Sequence, residues 1–362
     1  MPHQDKINRQ KRCHILMVSP MPPAMGGISV STSRLRDNLI ADGYDVDYYN
    51  VQPYSRYLPH KLHLLLNTLW LPFYILFNRR YDIIHFHVSS YWRRIYLWLS
   101  RWMYKSAKVV HTFHGDVSDI QGKMLFNRII RSYDAIICVR KGDSVKLPER
   151  DRCRAYEIPA FILSSDIDKL SLPDEISNFV SERTKEKLPL LVFNGLIVLS
   201  DSYYDLYGFK DFIEALKLVK KVYPELSALI IINDMTFDAS RQNFVEEIKK
   251  EISGLRFVKL VVKTQFSLLP IFSKPNVMYV RPTKTDGDSL SVREALALGT
   301  RVVASDVAPR PEGTLIYENS RGFESLSEKI IEAIKLGDAS VNYKGKDFYS
   351  EITKVYGIVK KK

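Results

Sequence analysis

Residues 281–306, RPTKTDGDSLSVREALALGTRVVASD, read as the end of a strand, a turn, a helix and a second strand. The apolar run before them, NVMYVRP, ends at a turn through Thr283 to Asp288. A helix follows from near Ser289, and TRVVASD supplies the next strand. That is a βαβ unit, which places the turn at the carboxyl end of a parallel strand. Unpaired backbone N–H groups at the helix start, with the helix dipole, suit an anion such as a diphosphate. Asp286 and Glu294, with seven residues between them, repel phosphate but accept hydrogen bonds from hydroxyl groups. A purely structural reading stands beside this one: Ser291 with Glu294 forms a capping box, and Asp288 serves as N-cap.

Outward from that unit the pattern repeats. HILMVSP (14–20), YDVDYYNV, YDIIHFHV (81–88), KVVHTFHG (108–115) and YDAIICVR (133–140) are apolar runs separated by amphipathic stretches, and YEIPAF (156–161) closes the series. After the polar segment SSDIDKLSLPDEISNFVSERTKEK a second series opens at LPLLVFNG (188–195). The spacing predicts an α/β chain of two doubly wound, Rossmann-like domains with ligand loops at strand carboxyl ends, facing across a cleft. The expected divisions are 1–163, a linker at 164–187, a second domain at 188–340, and a tail at 341–362 packing back toward the first domain.

Composition fits this picture. The chain has 362 residues, 46% of them hydrophobic and 26% charged, enough for two cores. Cys13, Cys138 and Cys153 form no metal or disulfide pattern, which fits a reducing, cytoplasmic setting. The net charge of +12 calls for an anionic partner, and no zinc-finger spacing, RNP motif or Arg-rich arm points to nucleic acid. No G-x-G-x-x-G opens either half, which disfavours a nicotinamide-dependent dehydrogenase.

In the second half the chain resembles glycosyltransferase family 4, of the two-Rossmann GT-B architecture. Asp286, seven residues and Glu294 stand where that family has Glu, seven residues and Glu, followed here by ALALG (295–299), VVASD (302–306) and RPEG (310–313). The resemblance implies that Glu294 holds the ribose of a nucleotide-diphosphate sugar and Asp286 the hydroxyls of the transferred sugar. It also implies that the backbone of Gly287, Asp288, Ser289 and Leu290 faces sugar and phosphates, with no cofactor or metal. Asp at 286 is one methylene shorter than the family's Glu, which bears on which sugar is bound.

The first half carries further points of likeness. SPMPPAMGGISVSTSRL resembles the family's first loop, where Gly26 and Gly27 let backbone approach a ligand. YDIIHFHV resembles its Asp-x-x-His-x-His strand, with His87 at the ligand end. HTFHGD places His114 near the reaction centre, while His85 and His111 read as core residues. The family's Gly-Arg and Lys-Gly phosphate ligands are missing: FNGLIVLSDSYYDLYGF has Gly195-Leu196 and Tyr207-Gly208 there. Arg281, Arg293 and Lys210 are the available cations, and Arg281, just before the acidic turn, is the expected replacement.

Residues 57–108 add a membrane-facing character. YLPHKLHLLLNTLWLPFYILFNRRY (57–81) is apolar but too short to span easily and is broken by Pro72. SSYWRRIYLWLSRWMYKSAK (89–108) mixes rings and cations in the manner of an interfacial helix on anionic lipid. The implied activity is retaining, metal-independent hexosyl transfer from a nucleotide-diphosphate sugar to a glycan acceptor, favoured as polyprenyl-linked. It would occur at the inner face of the membrane, in polysaccharide assembly. The competing expectation is a non-catalytic GT-B binding or scaffold protein, for which the two missing cations argue.

Overall fold

The computed structural model describes residues 13–21, 27–52, 60–78, 80–163, 167–186, 188–199, 204–234, 238–262, 266–336 and 348–361. The chain divides into two compact units. One comprises Met1–Leu163 with Asp347–Lys362, the other Ser164–Lys346.

The first unit is a six-stranded sheet of β1 (His14–Ser19), β2 (Asp45–Asn50), β3 (Ile83–Phe86), β4 (Lys108–Phe113), β5 (Ala135–Cys138) and β6 (Ala155–Glu157). The strands run parallel in the order β2-β1-β3-β4-β5-β6. Helices α1 (Gly27–Ala41), α2 (His60–Phe77), α3 (Tyr91–Leu99), α4 (Phe126–Arg131) and, from the far end of the chain, α11 (Tyr349–Lys361) accompany it. A parallel sheet covered on both faces needs strands that are apolar on both sides. Accordingly Ile15, Leu16, Met17 and Val18 of β1 are all fully buried. Alternate residues feed two cores. Leu16, Val18, Ile84 and Phe86 meet α2, α3 and α4 on one face. On the other, Ile15, Met17, Ile83 and Val110 meet α1 and α11.

The second unit repeats the plan with β7 (Leu190–Gly195), β8 (Ser227–Ile232), β9 (Val258–Val262), β10 (Val277–Arg281), β11 (Arg301–Ser305) and β12 (Thr314–Tyr317). These are parallel in the order β12-β11-β10-β7-β8-β9. Helices α5 (Asp174–Lys185), α6 (Phe209–Val222), α7 (Ala239–Ile252), α8 (Leu269–Phe272), α9 (Leu290–Ala297) and α10 (Gly322–Lys335) belong to it. In α6 the apolar residues Phe209, Phe212, Ile213, Leu216 and Val219 recur at helical spacing, and all are buried. The stretch 164–187, expected to be a linker, instead contains α5, whose Ile176 and Val180 enter this unit's core.

Two features of the first unit bear on the expected membrane-facing pattern. Arg93 and Arg94 of α3, expected to reach lipid phosphates, are buried at 8% and 5% exposure. Arg94 turns inward to the carbonyl of Val88 (2.9 Å) and lies over the ring of Phe113. Conversely α2 buries only one side, with Thr68, Leu71 and Ile75, and leaves Leu62, Leu65, Leu66, Leu69, Trp70, Phe73 and Phe77 exposed. No described helix is long and apolar enough to cross a membrane.

Candidate functional site

The acidic turn in the second unit is built outward from β10. Arg281 ends that strand, and its guanidinium reaches Asp286 through Nε (3.2 Å to Oδ2) and Nη2 (3.4 Å to Oδ1). A second guanidinium arrives from beyond β11: Arg310 Nη1 lies 2.8 Å from Asp286 Oδ2. Its Nε donates to the Ser305 carbonyl at 2.8 Å and its Nη2 to Ser305 Oγ at 3.0 Å. Ser305 Oγ in turn donates to the carbonyl of Thr283, tying β11 to the turn. The Gly287 amide is 3.1 Å from Asp286 Oδ1. A carboxylate offers about four acceptor sites. With two contacts from Arg281, one from Arg310 and one from Gly287, those of Asp286 are occupied. The expectation that Asp286 offers its oxygens to sugar hydroxyls is therefore corrected for this conformation: it organises two arginines. Arg281, expected as a phosphate ligand, is an ion-pair partner here.

Electrostatics separates the two aspartates of the turn. Burial raises the Asp286 carboxyl, but Arg281 and then Arg310 outweigh it, and the net shift is downward. Asp288 is raised, because burial prevails over its pairing with Arg293 (2.6 Å from Nε to Oδ1). Both members of the Asp-Gly-Asp sequence thus engage arginine.

The helix after the turn is capped differently from expectation. Ser289 is the N-cap of α9, its Oγ accepting from the Val292 amide. Ser291 lies inside the helix, so the capping box of Ser291 with Glu294 does not form, and neither does a cap by Asp288. Glu294 is the fifth helical residue and is 6% exposed. The amides of Leu290 and Ser291 occupy the first turn, where α-helical geometry supplies no backbone acceptor.

The loop that lacks the expected cations has its own logic. Tyr207 stands where a lysine was expected, and the Arg281 guanidinium lies 4.8 Å from its ring centroid. Gly195 makes room for this ring. A Cβ there would stand 2.7 Å from Tyr207 Cδ1 and 2.9 Å from its Cβ. Gly208 is equally constrained, with φ +79° and an added Cβ 2.1 Å from the Pro282 carbonyl oxygen. Gly195 therefore supports Tyr207, and Tyr207 supports Arg281. Lys210, the other candidate cation, is engaged with Glu247 at 2.9 Å and lies over Tyr204.

In the first unit four histidines cluster on β3, β4 and the residues that follow them. His85 is saturated: Nδ1 pairs with the Tyr356 hydroxyl of α11 at 2.6 Å and Nε2 with Thr112 Oγ1 at 2.7 Å. His111, on the opposite face, accepts from Arg94 Nε at 3.2 Å. Both are fully buried, as core residues should be. His87 Nδ1 and His114 Nε2 are 2.9 Å apart, and the ring of His85 lies 4.0 Å from that of His87, tilted by 42°. His87 Nε2 is buried with no hydrogen-bond partner among the described residues. A proton there would be an orphaned buried donor, costing about 1–3 kcal/mol. The proton of neutral His87 therefore belongs on Nδ1, donating to His114 Nε2. Neutral His114 then carries its own proton on Nδ1, the donor it retains for a ligand. Burial, reinforced by Arg94, pulls His114 down to about 4. Burial and then the nearby histidines push His87 well below the ordinary value. Gly27 begins α1 with open space around its Cα, whereas Gly26 lies outside the described residues.

Arg310 was within reach of sequence reasoning, since it opens the RPEG stretch, but nothing local shows that it returns to Asp286. Tyr207 carried no signal except the absence of the expected lysine.

Residues 25–144, within the first unit, match the family model described as Glycosyltransferase Family 4. No curated protein sequence matches the chain. Among solved structures, a glycosyltransferase from Rickettsia africae is similar at 15% identity and TM-score 0.67, covering 96% of this chain and 99% of its own. Sucrose-phosphate synthase from Thermosynechococcus elongatus is similar at 17% identity and TM-score 0.64, covering 96% of each chain. The Anabaena protein HepE in complex with UDP-glucose is similar at 13% identity and TM-score 0.61, covering 96% and 98%. At such identities the likeness establishes the fold, which is GT-B with two Rossmann-like units. The family suggested by the acidic block of the second half is thus the one whose model matches the first half.

Proposed function

From the premise that this GT-B chain fits the Glycosyltransferase Family 4 model over residues 25–144, we propose that it transfers a sugar from a nucleotide-diphosphate donor to a glycan acceptor. The observation that carries this reading is the Arg281–Asp286–Arg310 cluster beside the first turn of α9, at the carboxyl ends of β10 and β11. Departure of a nucleoside diphosphate builds negative charge on its β-phosphate. Amides of a helix N-terminus and a nearby guanidinium stabilise such charge without reorganisation. Leu290 and Ser291 supply the amides, and Arg281 supplies the guanidinium once a phosphate competes with Asp286. Glu294 takes the ribose hydroxyls, and His114 donates from Nδ1 to an oxygen of the transferred sugar.

The transfer is read as retaining, with attack on the face from which the diphosphate leaves. It is read as metal-independent because Asp286 and Asp288 each engage arginine rather than standing open as a cation site. A polyprenyl-linked glycan acceptor in surface polysaccharide assembly, at the inner face of a membrane, agrees with the apolar exposure of α2. The structure of HepE with UDP-glucose makes uridine diphosphate sugars the first donors to try.

A panel of nucleotide sugars tested for thermal stabilisation identifies the donor, since bound ligand raises the unfolding temperature by mass action. Glu294→Ala is expected to abolish the shift. Equal stabilisation of wild type and Glu294→Ala by the best donor would refute the site. A second reading, a GT-B protein that binds without turnover, is favoured by Tyr207 standing in place of a phosphate-binding cation. Donor-dependent transfer into a membrane extract separates the two.

A further inference from the structure

We propose that the outward face of α2 is a membrane-docking surface, with the helix lying in the plane of a phospholipid bilayer and its exposed stripe among the acyl chains. The exposed residues fall at i, i+3, i+4, i+7, i+8 and i+11 from Leu62, with Phe77 one turn further, so they form one continuous stripe. Trp70 and Phe77 are 54% and 72% exposed, values unusual for rings in a helix whose other side already fills a core. The Trp70 ring stacks with Phe73 at 6.1 Å, making an aromatic shelf.

The neighbouring elements extend that shelf. α2, α3 and α4 all contribute to the same core on one face of the first sheet, so their outer sides form one layer. On that layer Trp92, Leu99 and Trp102 are also exposed, and Met124 is 80% exposed just before α4. Rings of this kind favour the headgroup level.

Charge selects the occupant. From residue 60 to residue 115 the chain contains one acidic residue, Asp82. Lys61 and Lys105 are exposed at the two ends of this region. Lys123 and Arg128 line an open depression of about 400 Å³ at the start of α4, with Lys123 Nζ 5.1 Å from the ring of Tyr91. An apolar stripe bordered by cations and almost free of carboxylates fits a bilayer containing anionic lipid. The stripe is too short to span, so the contact is monotopic. The proposal gives a lipid-linked acceptor its place in the reading above, but it stands on α2 itself.

The test uses the full chain with vesicles and neither donor nor acceptor, so its outcome is separate from that of sugar transfer. Wild type is expected to float with phosphatidylcholine vesicles and more completely when phosphatidylglycerol is included. Chain-brominated phosphatidylcholine should quench tryptophan emission, and Trp70→Phe should remove a large part of that quenching. The exposed double variant Leu66→Gln/Phe73→Gln, with unchanged circular dichroism, should partition at least about tenfold less. Undiminished flotation of that variant, or absence of quenching by brominated lipid, would overturn the proposal. So would a wild-type dimer that stays off vesicles and that the double variant converts to monomer, which would assign the stripe to a second copy of the chain.

Discussion

Asp286 is held between Arg281, the last residue of β10, and Arg310, five residues past the end of β11, so one carboxylate fastens both strands of a βαβ unit. Arg310 is the more buried arginine, its side chain 1% exposed. Arg310→Ala leaves Asp286 with one arginine and the Ser305 carbonyl without its donor. The expected loss is about 2–4 kcal/mol, together with weaker donor-induced stabilisation. Thermal unfolding with and without the best nucleotide sugar reads both. A variant indistinguishable from wild type in both would remove Arg310 from the site.

Gly195 is expected to tolerate no side chain. The atoms a Cβ would meet include Tyr207 Cβ, close to the backbone, so a rotamer change does not clear them. Gly195→Ala should cost about 1–3 kcal/mol through overpacking. In a Tyr207→Gly background, which removes that Cβ as well as the ring, the same substitution should be nearly neutral. A double-mutant cycle measures the difference, and strict additivity would show that the ring does not depend on the glycine.

The proton arrangement of the histidine pair is directly observable. In ¹⁵N-labelled protein at neutral pH, long-range proton–nitrogen spectra should show His87 and His114 both protonated on Nδ1. A proton on His114 Nε2 would reverse the assigned hydrogen bond.

The same burial gives an acid-side dependence of stability. His114 is lowered to about 4 by burial and then Arg94, and His85 to about 3 by burial and then His114. An unfolded histidine titrates near ~6.5. Between that value and about 4 the unfolded chain binds protons that folded His114 refuses, so stability falls as pH falls. Above the unfolded value the contribution is flat. His114→Gln should therefore lose less stability than wild type between neutral pH and the acid end of that window, measured by urea midpoints. An equal loss would mean that His114 titrates in its ordinary range.

Most strands were legible because buried parallel strands are apolar on both faces, and runs such as Leu190–Val192 and Ile83–Ile84 carry that pattern without help from the rest of the chain; the edge strand β12, TLIY and only partly buried, was not. The turn at 282–289 was legible as the link from β10 to α9, because strand ends and helix starts are set by local sequence. Long-range choices were not. Whether Asp286 meets one arginine or two depends on how the chain returns after β11, 24 residues later in sequence. α2 is apolar all round, so its composition does not say which side the sheet covers. α3 looks amphipathic with cations outward, yet Arg94 finds His111 and Phe113 inside, contacts visible only once β4 is in place.

The return of α11 to the first unit has a consequence for synthesis. Tyr356 closes on His85, and Ile352, Val355 and Val359 cover the face formed by Ile15, Met17 and Val110. On the ribosome that face stays only partly covered, by α1, while the whole second unit emerges, so the half made first is the half finished last. A chain released before α11 would present a sheet face covered by α1 alone, with His85 lacking its Tyr356 partner, a ready substrate for chaperones and proteases.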